Sequence, residues 1–197
     1  MLLTSHRFGI DWEYSKKKYL FKEDSSLSVH IRLLNESDPV IISKAFQEQG
    51  WGRFAEQYLR YLAEQQNGER VTLVAELNGE FAGYVNVLWY SSYPSFREQC
   101  IPEINDFNVL MKFQRQGIGS RLMDRAEEVI LERTDVAGIG VGVFSDYGKA
   151  QVLYAHRGYI PDGHGVHKHD HYIQPGEETI MDDDVVLYLT KKLKATQ

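Results

Sequence analysis

Cysteine is nearly missing from the sequence: Cys100 is the only one in 197 residues. No internal disulfide can form, which fits a reducing compartment. No apolar run approaches the roughly 20 residues of a membrane-spanning helix. Only Leu2 and Leu3 precede polar residues at the N-terminus, too little for a secretory signal. The expected location is therefore cytoplasmic, with no membrane partner. A Walker loop is missing, because no Gly-Lys-Ser/Thr stands at the required spacing. The three-glycine dinucleotide fingerprint is missing too. Positive charge is in deficit: 22 Lys and Arg stand against 28 Asp and Glu, a formal net charge of -6. That balance argues against nucleic acid as a partner and mildly favours a cationic one. No internal repeat or low-complexity tract interrupts the chain. What remains is a globular composition, 43% hydrophobic and 25% charged, in a length that suits one domain with a sizeable core.

The most informative stretch runs from Glu103 to Arg133. It opens as a strand ending in Val109, and a short loop then carries Gly117 and Gly119. Ile118, Leu122, Ala126, Val129 and Ile130 recur at three- and four-residue spacing, the pattern of an amphipathic helix. Strand, glycine loop and helix N-terminus together make an anion cradle. The first-turn N–H groups have no intrahelical partner, and the helix dipole adds partial positive charge. Both glycines suit close approach of backbone to a ligand. Lys112, Arg115, Arg121 and Arg125 are met here by Asp124 alone, so the expected ligand is an anion.

Around this stretch the chain reads in order as follows. Residues 1–27 form an N-terminal extension that includes the basic run Lys16-Lys17-Lys18, a solvated face. Residues 28–34 read as the first strand. Pro39 suits the first helical position, so residues 40–49 read as a helix. Gly50 and Gly52 break it, and a second helix follows with Trp51, Phe54, Tyr58, Leu59 and Leu62 on one side. Residues 70–77 and 81–90 pair as a hairpin through Asn78-Gly79. Residues 91–102 read as a loop. In the strand 137–144, Gly138, Gly140 and Gly142 leave one face bare, for tight packing or for ligand contact. A helix over 147–157 ends at Gly158, and strands at Tyr159-Ile160 and 185–191 close the order. Residues 162–184 form a long polar loop or hairpin arm.

Two motifs in this order resemble the GNAT superfamily, the Gcn5-related N-acetyltransferases. The first is Gln114-Arg115-Gln116-Gly117-Ile118-Gly119, matching Gln/Arg-x-x-Gly-x-Gly/Ala. The second is YGKAQVLYAHRGY over 147–159, in which Ala150, Leu153-Tyr154 and Gly158-Tyr159 match a helix leading into a strand. The resemblance implies the GNAT fold, an α/β architecture with a mixed central β-sheet flanked by helices, over residues 28–197. It implies acetyl-CoA as cosubstrate, no required metal, and a homodimer as one arrangement that many relatives adopt. Val109 and Met111 would meet the pantetheine through their backbone. Gln114, Arg115, Gln116, Gly117, Ile118, Gly119 and Ser120 would surround the pyrophosphate, and Lys149 would reach toward the nucleotide phosphate. Tyr154 falls where the family places a tyrosine at the CoA sulfur, as acid for the leaving thiolate; the plainer alternative is a core aromatic with a satisfied hydroxyl.

The implied reaction transfers an acetyl group to an amine. A free alkylamine has a pKa of about 10.4, so a base must take a proton, directly or through water. Glu103 is the candidate. The histone-acetyltransferase branch carries its catalytic glutamate at this spacing before the cofactor motif, and burial on a central strand would raise its pKa. Its alternative is a structural carboxylate. Asp106 is the rival, although strand alternation places it on the opposite face. The oxyanion would need a backbone N–H of the central strand. Trp51, Phe54, Tyr58, Trp89, Tyr90, Tyr93 and Phe96 could line an acceptor pocket by cation–π contact or could serve as core or interface.

Three readings follow. The first is an N-acetyltransferase acting on a primary amine of a small molecule or peptide. The second is a non-catalytic acyl-CoA-binding module. The third is a metal-dependent hydrolase built on His164, His167, His169 and His171 with Asp162 and Asp170; spacing alone is unspecific for it, and the expected metal content is none. For the same loop, Glu177, Glu178 and Asp182 to Asp184 read as an acidic face toward a cation or toward solvent.

Overall fold

The computed structural model describes residues 28–169 and 171–194; the N-terminal extension and Asp170 lie outside the described residues. The element order is β1 (Val29–Leu33), α1 (Asp38–Glu48), α2 (Ala55–Gln66), β2 (Arg70–Leu77), β3 (Glu80–Leu88), α3 (Pro94–Glu98), β4 (Glu103–Val109), α4 (Ile118–Leu131), β5 (Val136–Gly142), α5 (Gly148–His156), β6 (Ile160–Lys168), β7 (His171–Tyr172) and β8 (Val185–Lys192). One eight-stranded sheet runs in the order β1-β2-β3-β4-β5-β8-β6-β7. Every pairing is antiparallel except β4 with β5.

Local chemistry accounts for the elements. Asn78 and Gly79 both take positive φ, 54° and 81°, the conformation a two-residue hairpin needs to match strand twist. They join β2 to β3, whose interior residues are buried because helices cover both faces. On one face α4 lays Ile118, Leu122, Met123, Ala126, Val129 and Ile130 against Val85, Val87, Ile104 and Ile139, and α5 adds Tyr154 to the same cluster. On the other face α1 and α2 bury Ile42, Phe46, Tyr58 and Tyr61 against Val74 and Tyr84. Further along that face, α3 and its lead-in bury Tyr93 and Phe96 against Tyr188.

Two sequence expectations change here, and one alternative left open is decided. The buried side of α2 is Tyr58 and Tyr61, whereas Leu59 and Phe54 are exposed. The reason is that α2 covers a polar layer of the sheet, where Tyr61 buries its ring and still donates its hydroxyl to Asp106 at 2.8 Å. Residues 94–98, expected as loop, form a short helix that Pro94 opens from its first turn. The bare face of β5 is filled by packing. A Cβ at Gly138 would stand 2.3 Å from the Phe96 ring, one at Gly140 2.9 Å from Val186, and one at Gly142 2.5 Å from Tyr147.

The placement of α5 depends on one half-buried carboxylate. Glu127 of α4 accepts from Arg157 at 3.1 Å and from Lys191 at 2.7 Å, and Arg157 also donates to Asp124 at 2.7 Å. The end of α5 and the end of β8 are thereby held to α4. This fixes the helix that carries Tyr154.

Candidate active site

The parallel pair β4 and β5 stays together only at Glu103↔Gly138 and Ile104↔Ile139. Beyond Ile104, β4 is laddered to β3 alone, so its other edge faces a gap with unpaired backbone groups. A cleft of about 910 Å³ occupies that gap. Its β4 wall is Phe107, Asn108 and Val109. Its opposite wall comes from α5 and the turn before it, with Tyr147, Ala150, Leu153 and Tyr154. Trp51 and Met111 close one side, and Gln114, Arg115, Gly119 and Lys149 lie at the mouth.

The mouth has the form of an anion cradle. Arg115 and Gly117 take positive φ, 63° and 78°, which turns the loop back under the first turn of α4. No side chain caps that helix, so its leading N–H groups remain available. A Cβ at Gly119 would sit 3.1 Å from Phe107 Cζ, tight enough that the ring would have to shift by a few tenths of an ångström. Gln114 bridges the cleft: its Nε2 donates to the Val109 carbonyl at 3.2 Å, and its Oε1 accepts from Lys149 at 3.4 Å.

The cation excess read from the sequence is smaller than expected. Lys112 pairs with Glu80, Arg125 pairs with Glu128, and Asp124 is taken by Arg157. Glu80 comes from a distant part of the chain, so sequence neighbours could not reveal it. Among the described residues, Arg115 and Arg121 make no ion pair.

Of the residues assigned to the cofactor, Val109, Met111, Gln114, Arg115, Gly119 and Lys149 line the cleft, as does Tyr154. Gln116, Gly117 and Ser120 are exposed nearby on the loop and first turn, and Ile118 turns its side chain into the core. The Met111 amide donates to Gln49 Oε1 at 3.0 Å, so Met111 presents its side chain to the cleft. Tyr154 is 5% exposed, and among the described residues its hydroxyl has no hydrogen-bond partner. Burial alone pushes that hydroxyl above the usual tyrosine range.

Glu103 is not a lining residue of the cleft. It is 5% exposed and accepts from Ser91 Oγ, and from Asn105 Nδ2 at 3.0 Å. Burial raises its pKa, and these two donors partly oppose the rise.

Asp106 is not on the opposite face. Asn86 pairs with Asn105 while Tyr84 pairs with Asn108, so β4 carries one more residue than β3 between these pairs. This β-bulge, with Asp106 at φ 44°, breaks the alternation and turns Asp106 onto the face of Glu103 and Asn105. There Asp106 meets Tyr61, Tyr84, Gln57, Arg53 and Asn108. Asn108 belongs to both this cluster and the cleft.

The aromatics divide. Tyr58, Trp89, Tyr93 and Phe96 are core, Phe54 and Tyr90 are exposed, and Trp51 lines the cleft while stacking on Phe46 at 5.5 Å. The histidines separate too. His167 is buried against Tyr93 at 4.9 Å between ring centroids, His171 meets Glu177 at 2.9 Å, and His169 lies 3.8 Å from Asp184. Among the described residues, no group of three or more His, Cys, Asp or Glu converges as a metal site. No described helix is long and apolar enough to cross a membrane.

A mixed sheet whose central parallel pair parts above an uncapped helix N-terminus defines the class of fold, and known proteins agree. Residues 39–159 match the family described as Acetyltransferase (GNAT) family, and the chain belongs to that family. It is 31% identical over 113 residues to an uncharacterized N-acetyltransferase of Bacillus subtilis, YhfO, covering 57% of this chain and 72% of that one. It is 40% identical over 73 residues to an uncharacterized N-acetyltransferase of Archaeoglobus fulgidus, covering 36% of this chain and 48%, about half, of that relative. Among solved structures, it resembles yncA of Salmonella typhimurium, determined with its cofactor acetyl-CoA. That likeness has a TM-score of 0.62 and 17% identity, and covers 85% of this chain and 95% of that one; at that identity it speaks for the fold alone.

Proposed function

We propose that the protein is an N-acetyltransferase that moves an acetyl group from acetyl-CoA to a primary amine of a small molecule or peptide. The observation that carries this reading is the parting of β4 and β5 above the uncapped α4 N-terminus, with Tyr154 lining the resulting cleft. The residues present fit the cosubstrate. An open backbone edge beside Val109 suits an amide-bearing arm, the α4 cradle suits a pyrophosphate, and Lys149 stands beside the mouth. Bound there, acetyl-CoA supplies an activated acetyl carbonyl and a thiolate leaving group.

The chain's own groups then divide the remaining work. Glu103 takes the amine proton through water, since its carboxylate is buried behind the cleft wall and its raised pKa brings it nearer to working pH. A backbone N–H of β4 at the bulge faces the developing negative charge. Tyr154 stands as the acid for the thiolate. The single cysteine, free and exposed, is in keeping with a cytoplasmic setting.

The position of Glu103 outside the cleft lining favours, as a second reading, an acyl-CoA-binding module without turnover. Calorimetric titration with acetyl-CoA and free CoA, followed by thiol release in the presence of candidate amines, separates the two. Micromolar binding with thiol release is expected. Binding without thiol release across amino acids, polyamines and lysine peptides leaves the binding module, and no binding by folded protein removes both.

A further inference from the structure

The carboxylate of Asp106 is the most heavily hydrogen-bonded side chain beside the cleft, and the reaction as described gives it no task. Its Oδ2 accepts from Tyr84 Oη at 2.6 Å, Tyr61 Oη at 2.8 Å and Gln57 Nε2 at 3.1 Å. Its Oδ1 accepts from Asn108 Nδ2 at 2.8 Å and Arg53 Nη1 at 3.1 Å. The donors reinforce one another: Gln57 Nε2 also donates to Tyr61 Oη at 2.7 Å, and Arg53 Nη1 to Tyr84 Oη at 3.2 Å. Helix α2, the loop before it, β3 and β4 thus all hold one carboxylate. Such a network is far more than solubility or simple burial asks for.

What this carboxylate sits on is the extra residue of β4. The bulge is where β4, already without β5 as a neighbour, changes the direction of its backbone groups. Asp106 holds φ 44° there, a conformation that L-residues avoid unless the surroundings impose it. An unanchored strand would relax the bulge or let it migrate along β4. The direction of the backbone N–H at the bulge would change with it.

We propose that Asp106 is a positioning residue: its carboxylate, clamped by Tyr61, Tyr84, Gln57, Arg53 and Asn108, locks the β4 bulge so that the strand's backbone N–H meets the acetyl carbonyl. The inference rests on the acetyl-CoA reading of the cleft. Asp106 touches no reacting atom. It sets the angle of the donor that does.

The test compares Asp106→Asn, Asp106→Gly and Asp106→Ala in the full chain. Glycine adopts positive φ without strain but has no anchor. Asparagine tolerates positive φ and keeps one acceptor oxygen. Free CoA binding is read by calorimetry. The infrared band of acetyl-CoA labelled with carbon-13 at the acetyl carbonyl reports whether that carbonyl is hydrogen-bonded, with no need for an amine acceptor. Wild-type protein is expected to shift the band to lower frequency. All three variants are expected to keep free CoA affinity within a few-fold. Asp106→Gly and Asp106→Ala are expected to lose the shift and at least about 100-fold in thiol release, the loss typical of one removed oxyanion donor. Asp106→Asn is expected to fall between them and wild type. If Asp106→Gly keeps both shift and turnover, the backbone conformation alone suffices and the proposal fails. Should the Asp106 variants not fold, Tyr61→Phe and Tyr84→Phe remove single clamping donors; a partial loss of the shift supports the clamp, and an unchanged shift overturns it. Absence of CoA binding by wild-type protein is a different result, which overturns the acetyltransferase reading itself.

Discussion

The first two residues of β4 and the last five meet different neighbours. At Glu103 and Ile104 the strand is laddered on both sides, to β3 and to β5. From Asn105 to Val109 it keeps β3 and loses β5. Side chains follow the same division. Glu103 is sealed with two donors, whereas Phe107, Asn108 and Val109 form a cleft wall. A continuous ladder consumes backbone donors and acceptors to make stability. Interrupting it inside a sheet produces an edge that water, another strand or a ligand must satisfy. The protein places helix α4 at the bottom of that edge and Tyr154 across from it, so the unpaired segment becomes a cleft wall and not an edge open to another strand.

The largest effect on this contrast is expected where the cleft meets the cradle. Replacing Gly119 by Leu places a Cβ 3.1 Å from the Phe107 ring and the rest of the side chain into the mouth. Replacing Gly117 by Val forces a β-branched residue into φ 78°. The pair together should weaken acetyl-CoA binding at least about 100-fold, or about 2.8 kcal/mol, in calorimetry on protein whose circular dichroism is intact. Unchanged affinity would mean that the anion sits elsewhere.

Next comes Glu103, on the fully laddered side. Glu103→Gln should lower turnover about 100-fold while leaving acetyl-CoA affinity within a few-fold. The pH dependence is the sharper readout. Turnover in the wild type should rise with pH as Glu103 loses its proton, and that limb should vanish in the variant. Stability runs the other way. A carboxyl whose pKa is raised in the fold binds more protons folded than unfolded above its ordinary value of 4.5. Its contribution to stability therefore falls as pH rises from there to the raised value. Thermal melts across that window should show this negative slope in the wild type and lose it in Glu103→Gln. A variant with the wild-type pH–rate profile would demote Glu103 to a structural carboxylate.

Tyr154→Phe is expected to act more weakly. A thiolate, whose conjugate acid has a pKa of about 8.5 in ordinary cysteine, leaves without much help, so the predicted loss in turnover is about tenfold. Stability should stay within about 0.5 kcal/mol, because the ring remains packed and the lost hydroxyl had no partner among the described residues. A variant that melts much earlier than wild type would show that the hydroxyl serves the core.

How far this contrast could be read from sequence depends on which interactions are local. The α4 stripe, the Asn78-Gly79 turn and the glycines of the cradle were legible because each follows from short-range periodicity or backbone sterics. The bulge was not. EINDFNV breaks its two-residue alternation at the adjacent polar pair Asn105-Asp106, and Asp is one of the few residue types that tolerate positive φ, but neither hint says by itself that a residue is inserted against β3. Tyr61 was hidden for a related reason. It buries against a polar layer of β2 to β4 with its hydroxyl on Asp106, and an apolar pattern selects Leu59 instead. Residues 162–184 stay open between loop and hairpin arm in the sequence because the pairing of β6 with β8 slips between Pro161 and Val166, with Gly163 and Gly165 at positive φ; the structure pairs β6 with β7 as an antiparallel arm. In each case pairing between distant segments decided what local pattern could not.

The smallest effect is expected at Lys149, where the two walls of the cleft touch. Its ammonium is exposed and 3.4 Å from Gln114 Oε1, a contact too long and too hydrated to hold the walls together. Its value lies in proximity to a bound phosphate, and an exposed charge pair contributes about 0.2–1 kcal/mol. Lys149→Ala should therefore weaken CoA about two- to fivefold, leave the acetyl carbonyl band and the melting temperature unchanged, and lose its effect as salt rises past about 0.5 M, where screening shortens to a few ångströms. Gln114→Ala should behave differently, since it also frees the Val109 carbonyl that Gln114 Nε2 now satisfies. If Lys149→Ala costs as much at high salt as at low, the lysine is making a fitted hydrogen bond. The α5 wall would then contribute to cofactor geometry as directly as the open edge of β4 does.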